Sequence, residues 1–227
     1  MKHVKHWQDP VNAALGAWLI ISPWVLGFQG VTAAMWSAVL TGVLLGAVAL
    51  GATLVPLRFP AADGGQAVRD WAPHCAVEAA VAHAGTYPSR GNAYGPVLAA
   101  VLESGRALSG PDYQRILLRR MALRGKVDAL FTGIDALLTP VQPMAPLTLH
   151  AISTLGTQPG LVAALQRYTC LFDMTGHPCL TLPAGQCGAG MPMGIQLVAA
   201  RLDEATLLQL GAAFQTATQW HLRRPLP

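Results

Sequence analysis

From Pro10 to Leu57 the chain contains no Asp, Glu, Lys or Arg. Two apolar stretches fill this region, about Val11–Phe28 and about Thr32–Val55. A helix rises about 1.5 Å per residue, so roughly 20 residues cross a hydrocarbon core of about 30 Å. The first stretch is barely long enough and the second is comfortable. Backbone polar groups inside lipid must bond internally, which makes helix the required state. The link Gln29-Gly30-Val31 is short and forces the two helices to be antiparallel neighbours. Two apolar stretches in succession, with no clear cleavage site between them, argue against a secretory signal peptide. Charged residues make up only 11% of the chain, against roughly 25% in ordinary soluble domains.

Local chemistry supports a membrane hairpin. Trp7, Trp18, Trp24 and Trp36 are amphipathic rings suited to the bilayer interface. Pro23 interrupts the first helix and frees a carbonyl, with Ser22 beside it as a local donor. Gly42, Gly46 and Ala49 have a spacing that permits close helix contact, although ordinary small residues of a membrane helix read the same way. Lys2 and Lys5 precede the first helix, Arg58 and Arg69 follow the second, and the turn is uncharged. The positive-inside rule then puts both ends in the cytoplasm. The run Trp7-x-Asp9-x-x-Asn12-x-x-Leu15-Gly16-x-Trp18-Leu19-Ile20-x-Ser22-Pro23-Trp24-x-Leu26-Gly27-Phe28 resembles the SPW repeat, with Trp36 and Gly42 in its continuation. The resemblance covers about residues 4–54 and implies one unit of a small bacterial membrane protein, in the inner membrane.

From Arg58 onward the charges are mixed, with 13 basic and 10 acidic residues and no basic block. No Lys/Arg cluster is interleaved with aromatics, so nucleic acid is not an expected partner. Cys75, Cys170, Cys179 and Cys187 form no C-x-x-C pair and read as reduced thiols in a cytosolic compartment. Pro56, Pro60 and Asp63-Gly64-Gly65 punctuate the chain. The expected organisation is a hairpin over 1–55, a linker over 56–66 and an α/β unit over 67–227.

Within that unit, alanines and apolar spacing predict a helix over about Val68–Ala84. Tyr87–Pro96 reads as loop and about Val97–Glu103 as helix. Ser109-Gly110-Pro111-Asp112 is a helix start, with a hydroxyl cap, an early proline and an acid in the first turn. That helix runs to about Val127 and is amphipathic, with Arg119, Arg120 and Arg124 expected to face water rather than bind phosphate. Asp135–Thr139 reads as a short buried strand, Val141–Pro159 as loop and Leu161–Phe172 as helix. Cys179–Pro183 and Met193–Ala199 read as a hairpin around the glycine-rich turn Gly185–Gly190, which lacks the lysine of a phosphate loop. Asp203-Glu204 opens a last helix to about Trp220.

Four stretches in order resemble the C-terminal half of the amidase-signature family. Asp112-Tyr113 with Arg119 precedes Asp135-Ala136-Leu137-Leu138-Thr139-Pro140. Phe172-Asp173-Met174-Thr175-Gly176-His177-Pro178 follows. Then come Leu180-Thr181-Leu182-Pro183 and Met191-Pro192-Met193-Gly194-Ile195-Gln196-Leu197-Val198. Asp203-Glu204 with Leu207-Leu208, and Trp220-His221 with Pro225, close the match. It spans about residues 66–227. The fold class it implies is a two-helix transmembrane hairpin plus α/β, a partial amidase-signature fold with an incomplete mixed sheet flanked by helices.

The resemblance also implies amide hydrolysis by a serine nucleophile, a second serine in a cis peptide and a proton-passing lysine. A serine hydroxyl needs a base within hydrogen-bond reach, and the tetrahedral intermediate needs backbone donors. In the family these groups lie in the N-terminal half, on a lysine strand and a Gly-Gly-Ser-Ser-Gly-Gly loop. Neither occurs here. The lysines are Lys2, Lys5 and Lys126, and Ser89, Ser104, Ser109 and Ser153 are isolated. No catalytic residue is therefore carried over. Phe172, Met174, Thr175 and His177 are the candidates for a substrate-pocket wall; the same turn also serves simply to position the strand after it. Cys170, Cys179 and His177 match no zinc spacing, and nothing orients His177 toward Cys179 as a nucleophile pair requires. No metal or cofactor is expected.

The expected function is a membrane-anchored amidase-like protein that is inactive alone, a truncated or fused relative of amide hydrolases. Two alternatives stand beside it. A separate chain supplies the missing N-terminal amidase half, or the tail serves an SPW-type membrane protein as an interaction module. The bilayer is the expected partner in every case.

Overall fold

A computed structural model of the protein describes residues 51–57, 61–144, 146–186 and 191–224. The expected membrane hairpin lies outside the described residues apart from its last positions. There Gly51 has φ +91° and residues 52–57 carry no regular structure. Among the described residues no helix is long and apolar enough to cross a membrane.

Helix α1 spans Ala61–Ala82, so it begins inside the expected linker and carries Pro73 within it. After turns and a 3₁₀ segment at Gly91–Ala93, helix α2 runs over Pro96–Ala107, with proline in its first turn. The two helices meet at Gly105, whose missing side chain lets the backbone of α2 rest on the Ala76 carbonyl. Helix α3 spans Gly110–Leu130 and starts where the sequence signal put it. The Ser109 hydroxyl accepts from the Asp112 N–H at 3.2 Å and donates to the Asp112 carboxylate at 2.6 Å.

Strand β1 is Ala136–Pro140. The stretch expected as loop holds helix α4, Leu149–Ser153, capped by Thr148, and a 3₁₀ turn at Leu155–Thr157. The single helix expected over Leu161–Phe172 is two, α5 at Pro159–Gln166 and α6 at Cys170–Thr175. Strands β2 (Cys179–Gln186) and β3 (Pro192–Ala199) form the expected hairpin, with a bulge between Pro183 and Gly185. Helix α7, Glu204–Ala217, is capped by the Asp203 carboxylate and is followed by a 3₁₀ turn at Trp220–Leu222.

The described strands make one sheet in the order β1-β3-β2, and both pairings are antiparallel. Its strands are thus not the mixed set expected, because the two that flank β3 both run against it. Alternation along the strands divides the core. On one face Leu137 and Val198 join Ala67, Leu123, Val127, Leu171 and Phe172, under α1, α3 and α6. On the other, Leu138, Leu180, Leu197 and Phe214 pack around Leu182, Ala184 and Ile195, under α7. Helix–sheet–helix layering follows from apolar residues on both faces of the same strands.

Candidate functional site

The turn that closes α6 is set by one glycine. Gly176 lies at φ 75°, ψ 29°, and its N–H donates to the Phe172 carbonyl at 2.7 Å. The His177 N–H shares that acceptor at 3.2 Å. A left-handed residue at this position ends a helix while satisfying its last carbonyls, and glycine alone adopts it without strain.

The next carbonyls are bound from another element. Arg120 Nε donates to the Met174 carbonyl at 2.7 Å, and Arg124 Nε to the Thr175 carbonyl at 3.0 Å. Cations at a helix C-terminus also meet the negative end of its dipole. Arg119 forms a two-point pair with Asp70 of α1, both N–O distances being 2.7 Å. Asp70 is buried and takes a third bond from Gln66 at 2.9 Å. These contacts correct the expected water-facing arginine face. The outer part of α3 is instead the side that ties α1 to α6, because an Arg stem reaches far enough to place its fork on a neighbouring helix.

The four candidate wall residues all turn inward. Phe172, Met174, Thr175 and His177 are between 0% and 5% exposed. Phe172 belongs to the core under α1 and α3. Met174 also lines a cleft of about 90 Å³ with Asp63, Gln66, Asp70, Arg119 and Arg120. This cleft is smaller than the roughly 300–1,000 Å³ of pockets that enclose drug-sized ligands. His177 stacks on Phe131 and shares a 2.9 Å hydrogen bond between Nδ1 and the Thr175 hydroxyl. Its Nε2 lies 3.3 Å from Asp128 Oδ1, which also accepts from Arg201 at 2.9 Å. Burial pushes the His177 pKa below the ordinary imidazole value; Asp128 opposes this, and Arg201 and Arg124 add to it.

On α1, His74 is buried and stacked on Tyr113. Its Nε2 is 3.0 Å from Arg120 Nη1 and 3.1 Å from Glu78 Oε1. Burial lowers its pKa as well; Glu78 and Asp70 raise it and Arg120 lowers it.

Hydroxyls and thiols are committed elsewhere. Ser89, Ser104 and Ser153 each donate to a backbone carbonyl three residues earlier, and Ser109 caps α3. Lys126 pairs with Asp63 at 2.9 Å. Desolvation pushes the Cys170 and Cys179 thiols up to about 11, which favours the thiol over the thiolate near neutrality; Cys170 is buried, whereas Cys179 is exposed. The Cys179 thiol points to the His177 carbonyl, 3.7 Å away, and not to its ring. Among the described residues no group of His, Cys, Asp and Glu is arranged to hold a metal ion. The partners Asp70, His74, Asp128 and Arg201 escaped the sequence reading because they lie 46–73 residues from the groups they touch.

Family models described as Amidase and as SPW repeat domain match residues 49–208 and 2–73. AmiD of Mycobacterium tuberculosis, an amidase by name, is 39% identical over 150 residues, 66% of this chain and 32% of its own length. AmiB2 of the same organism, also an amidase by name, is 30% identical over 128 residues, 56% of this chain and 28% of its own. The chain thus spans about a third of the length of the curated relatives it matches. A crystal structure of an amidase superposes with a TM-score of 0.63 at 27% identity, covering 78% of this chain and 41% of that one. Kluyveromyces lactis allophanate hydrolase shares the fold, with a TM-score of 0.60 at 15% identity over 96% of this chain and 31% of that one.

Proposed function

The chain belongs to the amidase family, and from that premise we propose that it is a membrane-anchored amidase-like protein that does not hydrolyse amides by itself. Its α/β unit supplies the C-terminal part of the fold, including the turn Phe172–His177, without a serine–serine–lysine relay. One observation carries this reading: in the described residues Ser89, Ser104, Ser109 and Ser153 spend their hydroxyls on local partners, and Lys126 is held by Asp63. Only Ser109 has a base within reach, the Asp112 carboxylate at 2.6 Å, and that pair is the exposed cap of α3; none of the four has a lysine or histidine side chain as its partner.

The match of residues 2–73 to the SPW repeat domain supports attachment to a membrane. We place the anchor over 1–55 with both ends cytoplasmic, and the junction over 56–66. The test is turnover by the purified full chain in detergent or lipid nanodiscs. Aliphatic and aryl amides should release no ammonia or amine above the buffer rate. Turnover that disappears when one of the chain's own serines is changed to alanine would refute the reading.

A second reading has its own support in β1. This strand carries Leu137 to one face and Leu138 to the other, yet lies at the edge of the described sheet. Strands apolar on both faces usually sit inside a sheet. A polypeptide carrying the lysine strand and serine loop would cover that edge and restore chemistry. Co-expression with the N-terminal half of an amidase, followed by co-purification and assay, separates the two readings.

A further inference from the structure

We propose that His74 is a proton-operated switch on Arg120, the arginine that holds the carbonyl of Met174 and with it the turn Met174–His177. The proposal rests on the geometry around one nitrogen and holds whether or not the chain takes part in amide chemistry. His74 Nε2 has a donor, Arg120 Nη1, at 3.0 Å and an acceptor, Glu78 Oε1, at 3.1 Å. A ring nitrogen serves only one of them at a time. With the neutral ring as its Nδ1–H tautomer, the Nε2 lone pair accepts from Arg120; in the protonated ring Nε2 donates to Glu78.

The surroundings make the choice consequential. His74 is 3% exposed, so water does not take over the lost role. Its Nδ1 is buried without a hydrogen-bond partner, so among the described groups only Nε2 ties the ring to polar neighbours. The groups facing it are Asp70 and Glu78 on its own helix, and Tyr113 and Arg120 on α3. From α6 the Met174 carbonyl approaches Arg120, and Asp173 acts on the neighbouring Cys75. Asp70 is occupied by Arg119, which leaves Glu78, 3.1 Å from Nε2, as the carboxylate in reach of a charged ring.

At neutral pH the ring is uncharged, because burial outweighs Glu78 and holds the pKa below its usual value. Arg120 then bridges His74 and the Met174 carbonyl, its Nη1 on the ring and its Nε on the carbonyl at 2.7 Å. Protonation sets two cations against each other at that contact. The new N–H turns to Glu78, whose Oε1 already lies 3.9 Å from Arg120 Nη1 and draws the guanidinium the same way. The Met174 carbonyl loses its donor, and the end of α6 loosens.

Hydrogen exchange on the full chain in nanodiscs tests this, read at peptides spanning 172–178 between pH 7.5 and 5 and corrected for intrinsic exchange. Exchange at Gly176 and His177 should accelerate by about tenfold below pH 6.5, the order expected for losing one charge-assisted hydrogen bond. His74→Gln, whose amide oxygen accepts from Arg120 at every pH, should abolish the step. Glu78→Gln should keep the step and move it to lower pH, since it removes the group that favours the charged ring. A flat wild-type profile overturns the proposal. So does a step that persists in His74→Gln, which would assign it to His177, or an unmoved midpoint in Glu78→Gln.

Discussion

Replacing Gly105 by alanine tests the packing of α1 on α2 most directly. An added Cβ would lie 2.0 Å from the Ala76 carbonyl oxygen, 2.3 Å from its carbon and 2.8 Å from the Val77 nitrogen. All three are backbone atoms of α1, so no side chain can rotate away. The helices must separate by about 1 Å or more before the contact becomes tolerable, and Leu102, fully buried three residues earlier, loses part of its packing. Overpacking of this kind costs about 1–3 kcal/mol, and partial exposure of a leucine adds about 1 kcal/mol. Alanine returns about 1 kcal/mol through helix propensity. The net expectation is a loss of about 2 kcal/mol, or a Tm lowered by roughly 4–8 °C for a chain of this size.

Gly125 supplies the control. It also lies in a helix interior, and an added Cβ there would meet nothing within 4 Å. Gly125→Ala should therefore stabilise by up to about 1 kcal/mol. Thermal unfolding of both variants as full chains in one detergent, followed by circular dichroism, gives the comparison. If Gly105→Ala melts at or above the wild type, the close approach of α2 to Ala76 is wrong.

Arg120→Lys should not restore what Arg120→Ala removes, because two donors in a fixed fork reach Met174 and His74; each variant should lower stability by about 1–3 kcal/mol in urea titration. Asp70→Asn should cost about 1–2 kcal/mol, less than a fully buried pair, since Arg119 remains 44% exposed to solvent. Stability should fall as pH drops below about 6.5. Burial lowers the folded-state pKa of His74 and His177, so the unfolded chain binds more protons in that range. The urea midpoint at pH 5.5 should lie below that at pH 7.5, and replacing both histidines by glutamine should flatten the difference. Gly176→Ala should destabilise by about 1 kcal/mol with no steric clash, because its only neighbour within 4 Å is an Arg124 side-chain tip and the penalty is backbone strain at φ 75°.

Elements announced by local chemistry were legible in the sequence. Ser109 with Asp112, and Asp203 before Glu204, marked the starts of α3 and α7, because a cap is made within one turn of its own helix. The alternation of β3 and the glycine-rich turn before it gave the hairpin. Signals weakened where the chain breaks irregularly: α4 rests on a single Thr148 cap inside a proline-rich stretch, and the turn at Arg167–Thr169 has no glycine or proline to mark it.

The order of motifs was enough to point to the amidase family and to the SPW repeat. Where the arginines of α3 point was decided only in three dimensions. A helical wheel places Arg119, Arg120 and Arg124 among polar residues and reads them as solvated. Their partners, Asp70, His74 and the carbonyls of Met174 and Thr175, are distant in the chain. Periodicity records which face of a helix is polar, whereas the neighbour that face meets is fixed by how the helices stack on the sheet.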